Sequence, residues 1–185
     1  TPLYSSAASD VYKRQEEELP IFRSFMEDTS ETKDFADRDD SFYYNRFKHY
    51  KDRVLVPLAY INFDEYIEEL NNERNVLNKD YNKALKDIEK RPENKKAHNK
   101  KENLEQQLDA NQQKINEAEN LKQEHGNELP ISAGFFIINP FEVVYYAGGT
   151  SNRYRHFAGS YAVQWKMINY AIEHGIDRYL SLIHI

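Results

Sequence analysis

Two runs of seven-residue spacing, separated by a four-residue break, constrain this chain more than any other feature. Each run steps alternately by three and four residues, which is typical of a helical seam that packs against a partner helix. Arg91-Pro92-Glu93-Asn94 separates the two runs. The seam positions are Ile67, Leu70, Arg74, Leu77, Tyr81, Ala84 and Ile88, followed by Ala97, Lys101, Leu104, Leu108, Asn111, Ile115 and Ala118. The pattern predicts an antiparallel coiled-coil hairpin over residues 64–128, with helices of about 35–40 Å each.

The predicted hairpin starts directly after one predicted strand and ends directly before another. Residues 54–61 form a short apolar run, and Pro57 indicates a kink, a bulge or an edge position within it. Residues 131–138 and 141–147 are rich in β-branched and aromatic side chains, and the Asn139-Pro140 pair between them predicts an antiparallel β-hairpin. We therefore expect the helical arm to be an insertion that projects from a sheet.

The chain after the second strand of this β-hairpin is predicted to leave the sheet. Gly148-Gly149 is expected to end the strand, and residues 150–152 to form a loop. The stretch Gly148–Asn152 is either a plain turn or a cradle of backbone N–H groups for phosphate, and the neighbouring Arg153, Arg155 and His156 favour the second interpretation.

Helices are predicted on both sides of the strands. Apolar spacing indicates one helix near residues 19–27 and another that opens near residue 38. A third is expected over residues 158–174, before a fourth strand that begins at residue 176. This third helix is predicted to pack on the sheet through Tyr161, Trp165, Ile168 and Ile172. The fold class is therefore α+β.

The composition excludes several classes of protein. The net charge of -6 argues against general nucleic-acid binding, although a local basic patch stays open. The absence of cysteine excludes disulfides, thiolate metal sites and a cysteine nucleophile. No apolar run is long enough to cross a membrane, and we expect a soluble, cytoplasmic protein.

Both ends look foreign to the rest of the chain. Residues 1–15 are small, polar and without periodicity, and residues 181–185 interrupt the fourth predicted strand. Both resemble translated adapter or vector sequence, and they are left out of the fold prediction. The chain is then expected to be truncated at both ends.

Spacing alone gives no catalytic motif. The histidines are scattered and have no metal-ligand spacing. Tyr145 and Tyr146 are expected to point to opposite faces of their strand, one into the core and the other into a cleft. Arg38 lies among Asp37, Asp39 and Asp40, which by itself indicates a surface ion pair.

Residues 17–179 resemble the Fem family of peptidoglycan aminoacyltransferases. The resemblance is carried by the stretches LPIFRSFM (residues 19–26), VLVPLAYINF (residues 54–63) and KRPENKKAH (residues 90–98), and above all by residues 129–165. It implies an acetyltransferase-like (GNAT-like) domain, of which residues 16–63 and 129–180 are parts, with the arm inserted into it.

The same resemblance implies a function. Family members transfer an amino acid, here glycine, from glycyl-tRNA to the interpeptide bridge of a lipid-linked peptidoglycan precursor, lipid II. The reaction is aminolysis of an ester, which needs proton transfer and stabilisation of the oxyanion but no cofactor and no metal. Partners would be glycyl-tRNA and the precursor, met at the membrane surface, with related Fem proteins or a second copy of the chain as further candidates.

The resemblance also implies site residues. Arg38 matches an arginine that contacts the precursor, where a guanidinium suits phosphate or carboxylate. Tyr145 matches a tyrosine of the bridge-peptide site, and Phe42 or Tyr43 is a candidate to line the same pocket. We therefore expect Arg38 and Tyr145 to face one cleft. No catalytic residue is assigned, because the proposed catalytic lysine of the family lies in a Phe-Lys-Lys-Gly-Tyr stretch that this chain lacks; the chain alone is expected to be inactive.

The tip of the arm leaves two interpretations open. Lys90, Arg91, Lys95 and Lys96 cluster around its turn, with acidic residues between them. They form either a solvated helical surface or a tRNA-contacting finger, similar to the arm of seryl-tRNA synthetase. The competing function for the whole chain is a non-enzymatic interaction module, a coiled coil on a small α/β base. That alternative explains the arm but not the polar loop or the Tyr145-Tyr146 pair.

Overall fold

The computed structural model describes residues 16–33 and 38–182 of the chain. They divide into two compact units, one formed by Asn62–Glu128 and the other by the chain up to Ile61 and from Leu129 onward. Of the segments predicted to be foreign, residues 1–15 and 183–185 lie outside the described part, whereas Ser181 belongs to a strand.

The described part is a mixed α and β structure, with more residues in helices than in its open, mixed sheet. Short 3-10 turns join some of the elements. In chain order the helices and strands are α1 (Leu19–Lys33), α2 (Asp40–Tyr50), β1 (Val54–Leu55), β2 (Leu58–Asn62), α3 (Phe63–Lys90), α4 (Lys95–His125), β3 (Glu128–Ile138), β4 (Glu142–Thr150), α5 (Gly159–Glu173) and β5 (Arg178–Ser181).

The strands form one sheet in the order β1-β3-β4-β5, and β2 also pairs with β3. The β3–β4 hairpin is antiparallel, as predicted from the Asn139-Pro140 turn, and Asn139 Oδ1 accepts hydrogen bonds from the Phe141 and Glu142 amides at 2.9 Å. β5 runs parallel to β4. The strand predicted over residues 54–61 is split at Pro57, which has no N–H to donate but accepts from the Gly134 amide at 3.0 Å.

One extra residue in β4 changes which side chains share a face of the sheet. Phe136 pairs with Tyr145, but Phe135 pairs with Ala147, so Tyr146 is the inserted residue of a β-bulge. Tyr146 and Ala147 therefore both pack on the side of Phe135, whereas Tyr145 stacks on Phe136. The prediction that the two tyrosines point to opposite faces is confirmed.

α1 and α2 cover the face that carries Phe135. The predicted apolar face of α1 is buried there, through Leu19, Phe22, Phe25 and Met26. A Cβ on Gly149 would lie 2.4 Å from the backbone carbonyl carbon and oxygen of Phe25, so only glycine lets α1 come this close to β4.

The prediction that Gly148-Gly149 ends the strand is wrong. Both glycines are paired within β4, with Gly134 and Ala133 respectively, and the strand continues to Thr150. The glycines serve close packing on the two faces of the sheet rather than a turn.

α5 covers the other face, but not with the side chains that were predicted. Its buried residues are the smaller Gly159, Val163, Met167 and Ala171. A Cβ on Gly159 would lie 2.8 Å from the Ile131 side chain, which shows how closely the helix approaches the sheet. Of the four predicted contacts, Ile168 is half-buried and the other three are exposed: Tyr161 by 63%, Trp165 by 66% and Ile172 by 71%.

The second unit consists of α3 and α4, which have 28 and 31 residues and run antiparallel. Asn111 Nδ2 donates to the Leu70 carbonyl at 3.1 Å, and the Tyr81 hydroxyl donates to Glu105 at 2.8 Å. Residues later in α3 thus contact residues earlier in α4, as antiparallel packing requires. Every position of the two predicted seams is buried or half-buried.

Asparagine side chains close both ends of this helix pair. Asn62 accepts from the Asp64 and Glu65 amides at the start of α3, and the Asn127 side chain also accepts from the Asp64 amide. At the far end, Asn94 caps α4 by accepting from the Lys96 and Ala97 amides. These caps satisfy amides that have no partner within their own helix.

Candidate functional site

The first turn of α2 places two of the predicted site residues together. Asp39 is the N-cap, and its Oδ1 accepts from the Phe42 amide and the Ser41 hydroxyl, both at 2.9 Å. The cap fixes Phe42 one turn after Arg38, and the Arg38 Cζ lies 5.4 Å from the centre of the Phe42 ring. The guanidinium and the ring therefore form a cation–π contact at the positive end of the helix dipole.

Arg46 joins the same ring from one turn further along α2. Its Cζ lies 3.4 Å from the centre of the Phe42 ring and 5.4 Å from that of the Tyr146 ring. Its Nη1 also donates to the Phe42 carbonyl at 3.1 Å. The rings of Phe42 and Tyr146 are 6.0 Å apart. We refer to Arg38, Phe42, Arg46 and Tyr146 as the arginine–aromatic cluster; Arg38 is exposed and the other three are half-buried.

Tyr43, the alternative to Phe42, belongs to the core. It is 3% exposed, and its ring packs against Phe22 at 5.0 Å and Phe135 at 5.7 Å. Arg23 of α1 lies over this ring and forms an ion pair with Asp40 at 2.7 Å. Tyr43 thus supports the position of α2, and it has almost no surface with which to line a pocket.

Tyr145 lies on the face of the sheet opposite the arginine–aromatic cluster. It is 5% exposed and stacks on Phe136, with ring centres 4.8 Å apart. Burial raises the pKa of the Tyr145 hydroxyl to about 12. The expectation that Arg38 and Tyr145 face one cleft is wrong, because the cluster around Arg38 meets Tyr146 instead.

The end of β4 and the two residues after it are hydrogen-bonded to α1 and β3. The Thr150 amide donates to Thr29 Oγ1 at 3.1 Å, and the Ser151 amide donates to the Ile131 carbonyl at 2.9 Å. Asn152 Nδ2 donates to the Asp28 carbonyl at 2.8 Å. The Thr150 and Ser151 amides therefore already have partners, which argues against the phosphate cradle predicted at Gly148–Asn152.

The turn of the arm presents the four predicted tRNA contacts to solvent. Lys90, Arg91, Lys95 and Lys96 are all exposed around it. The turn itself is held by hydrogen bonds: the Arg91 amide donates to the Asp87 carbonyl at 3.0 Å, and His98 Nε2 donates to the Pro92 carbonyl at 2.8 Å. The basic side chains can therefore contact a ligand without unfolding the turn.

Residues 16–33 and 38–182 contain neither a metal-ion site nor a membrane-crossing helix. No group of three histidine, aspartate or glutamate side chains is placed to hold a metal ion there. In the same residues, no helix combines the length and apolar character that a membrane crossing requires.

Comparison with known proteins identifies the family. A family model described as the FemAB family matches residues 7–180. The chain belongs to the FemAB family. It is 98% identical over 164 residues to Aminoacyltransferase FemA of Staphylococcus epidermidis, and 84% identical over the same length to Aminoacyltransferase FemA of Staphylococcus aureus.

The chain corresponds to part of these FemAB proteins. Each alignment covers 89% of this chain but 39% of the relative. The crystal structure of FemX is similar in fold, with a TM-score of 0.70 and 26% sequence identity, and the match covers 96% of this chain and 45% of FemX.

Two members of the arginine–aromatic cluster were not among the predicted FemAB site residues. Arg46 could have been found, because residues four apart on a helix lie next to each other and Phe42 precedes it by four. Tyr146 could not, since it meets Phe42 only because of the β-bulge, and no glycine or proline marks the bulge in the sequence.

Proposed function

We propose that this chain is part of an aminoacyltransferase that adds glycine from glycyl-tRNA to the interpeptide bridge of a lipid-linked peptidoglycan precursor. The observation that carries the proposal is the 98% identity over 164 residues to a protein named Aminoacyltransferase FemA. The reaction would be attack of a neutral amine on the aminoacyl ester, with the tRNA hydroxyl leaving. We assign no catalytic residue and no cofactor to this chain, and we expect it to be inactive without the remainder of the protein.

The same proposal covers finer features of the fold and location. We interpret the sheet with α1, α2 and α5 as part of a GNAT-like domain, and α3 with α4 as a coiled coil inserted at residues 64–128. Knobs-into-holes packing along the two seams would test the second interpretation. We place the protein in the cytoplasm, where it would meet the precursor at the membrane surface.

For substrate binding, we assign Arg38 and Phe42 to contact with the anionic precursor. Their support is the capped first turn of α2, which holds the guanidinium beside the ring at an exposed position. Tyr43 and Tyr145 are buried, so in this proposal they keep the two faces of the sheet in place.

For the arm, we propose that the exposed bases of the turn contact the phosphates of the donor tRNA. Such contacts are sensitive to salt and carry little sequence information, so the arm would position tRNA without selecting it. The test is a tip variant in which glutamine replaces all four basic residues: Lys90, Arg91, Lys95 and Lys96. The matched control replaces Lys79 and Lys114, exposed lysines away from the turn, with glutamine.

We expect the tip variant to keep its helical circular dichroism, because its seams are unchanged. Its affinity for tRNA, measured by fluorescence anisotropy across a series of salt concentrations, should fall, and the slope of log K against log salt should flatten. The control with glutamine at Lys79 and Lys114 should bind tRNA like the original chain. Full affinity in the tip variant at physiological salt would show that the arm is a spacer or a protein-contact element.

The transferase proposal has its own experiment. The full-length protein is incubated with glycyl-tRNA and a monoglycyl lipid II analogue, and extended product is followed by mass spectrometry. Glycine transfer is expected. If no glycine is transferred and the arm instead retains a partner protein, the alternative of a non-enzymatic interaction module would be favoured.

A further inference from the structure

Helix α5 is apolar on two nearly opposite sides, although only one of them packs on the sheet. The inward side carries the buried residues Gly159, Val163, Met167 and Ala171. A second apolar series follows helical spacing on the outward side, and we call it the outer stripe of α5: Tyr161, Trp165, Ile168 and Ile172. A helix that is apolar all round is typical of one that is buried on every side.

The outer stripe is nevertheless largely open to solvent in this structure. Trp165 is 66% exposed and Ile172 is 71% exposed, and Ile168 between them is half-buried. Single exposed apolar side chains are ordinary on a protein surface, whereas a contiguous row of them marks an interaction site. A tryptophan and an isoleucine are also among the side chains whose burial contributes most to association.

The charge of α5 indicates what kind of surface fits the stripe. The helix carries one basic and one acidic side chain, Lys166 and Glu173. A helix that lies on an anionic membrane has instead a strongly basic face opposite its apolar face. In α5 the side opposite the stripe is packed on the sheet, so the helix is suited to an apolar protein surface rather than to lipid headgroups.

The FemAB relatives contain enough additional protein to supply that surface. The alignments cover 89% of this chain but 39% of each FemA protein, so more than half of each relative lies outside the aligned part. FemX shows the same relation, since the match covers 96% of this chain and 45% of FemX. A surface on the same polypeptide is present at a high effective concentration, which favours it over a separate partner.

We propose that the outer stripe of α5 is an internal interface, on which the part of the FemAB protein outside this chain packs. Trp165 and Ile172 are its main contacts, because they expose the largest apolar surface on the helix. The proposal rests on the structure of α5 and on the family, and it does not depend on glycine transfer or on any substrate.

The first experiment compares aspartate variants in this chain and in the full-length protein. Trp165→Asp and Ile172→Asp should leave the thermal unfolding of this chain nearly unchanged, because both side chains are exposed. In the full-length protein each variant would place a carboxylate in an apolar interface. Hydrogen exchange of the β3 and β4 amides should then show at least about a ten-fold rise in the unfolded fraction of the sheet unit.

The matched control is Val76→Asp, which changes an apolar side chain of α3 that is 58% exposed. It should be neutral in this chain and in the full-length protein, because it lies outside the proposed interface. Full-length Trp165→Asp and Ile172→Asp proteins that are as stable as the Val76→Asp protein would overturn the proposal.

The second experiment needs no substitution, so it decides the proposal even if an aspartate variant does not fold. Trp165 is the one tryptophan of this chain, and hydroxyl-radical footprinting with mass spectrometry reads its oxidation directly. Trp165 should be oxidised readily in this chain, and most of that oxidation should be lost in the full-length protein. Oxidation of Val76 should be the same in both.

Two other occupants of the stripe give different results. If a second copy of this chain covers it, sedimentation should show self-association that Trp165→Asp abolishes, and Trp165 should stay oxidisable in the monomeric full-length protein. If lipid covers it, Trp165 of the full-length protein should be protected only when phosphatidylglycerol vesicles are added. Either result would overturn the assignment of the stripe to the remainder of the protein.

Discussion

The contact between β4 and α1 leaves no room for a side chain at Gly149, and we expect Gly149→Ala to destabilise the sheet unit. The added Cβ would lie 2.4 Å from the carbonyl carbon and oxygen of Phe25 and 2.6 Å from the Met26 amide nitrogen. Ordinary carbon contacts are about 3.5–4.0 Å, so α1 would have to move by about 1 Å. Such a shift disturbs the packing of Leu19 and Phe22, both of which are fully buried.

Overpacking of this kind costs about 1–3 kcal/mol, which corresponds to roughly a 5- to 150-fold rise in the unfolded fraction of the unit. Hydrogen exchange of the β3 and β4 amides, measured by mass spectrometry, reports the stability of the sheet unit separately from that of the arm. Phe25→Ala should not rescue the variant, because the obstacle is backbone. For comparison, a Cβ on Gly148 would meet the end of the Tyr145 side chain at 1.9 Å, and Tyr145→Ala should relieve that clash. Unchanged protection in Gly149→Ala would refute the argument.

Three further outcomes are expected. In the full-length protein, Arg38→Ala should weaken precursor use by about 1.5–3 kcal/mol if a charge-assisted hydrogen bond is lost, and an unchanged Michaelis constant for the precursor would contradict this. Asn111 is 3% exposed and, within the described residues, its Oδ1 has no hydrogen-bond partner. Asn111→Leu should therefore raise the melting temperature of the arm, measured by circular dichroism. A lower melting temperature would show that the bonds of Asn111 to Leu70 and Glu73 contribute more than the unpaired oxygen costs. Burial raises the pKa of the Tyr145 hydroxyl from 10.0 to about 12. The neutral hydroxyl therefore stabilises the folded state fully below pH 10, and about 2–3 kcal/mol of this stability is lost as the pH rises to 12. In urea unfolding, Tyr145→Phe should not show this loss of stability between pH 10 and 12.

The parts of the fold that follow from local chemistry could be predicted from the sequence. The seam of α3 and α4 is visible because a spacing of three and four repeats over many turns, and Asn94 caps the helix that follows the break. The β3–β4 hairpin follows from the turn at Asn139. In each case the determining contacts lie close together in the sequence or repeat regularly.

Contacts between distant segments could not be predicted in the same way. α5 is apolar on more than one side, and the prediction placed its largest side chains inward, at Trp165 and Ile172. The sheet instead accepts the side with Gly159 and Val163, because small residues allow the closest approach. Gly149 was misread for the same reason: a glycine pair suggests a turn unless the helix that packs on it is known.

The candidate site depends on the β-bulge more than on any residue type. Gly149 packs against α1, so strict alternation along β4 would place Ala147 and then Tyr145 on that face, beside α2. The inserted residue shifts the alternation by one, and Tyr146 takes this place, 6.0 Å from the Phe42 ring. Tyr145 is then turned onto Phe136 on the other face. The choice between two adjacent tyrosines for the arginine–aromatic cluster is therefore made by strand register, and a sequence that shows both tyrosines does not show which one is chosen.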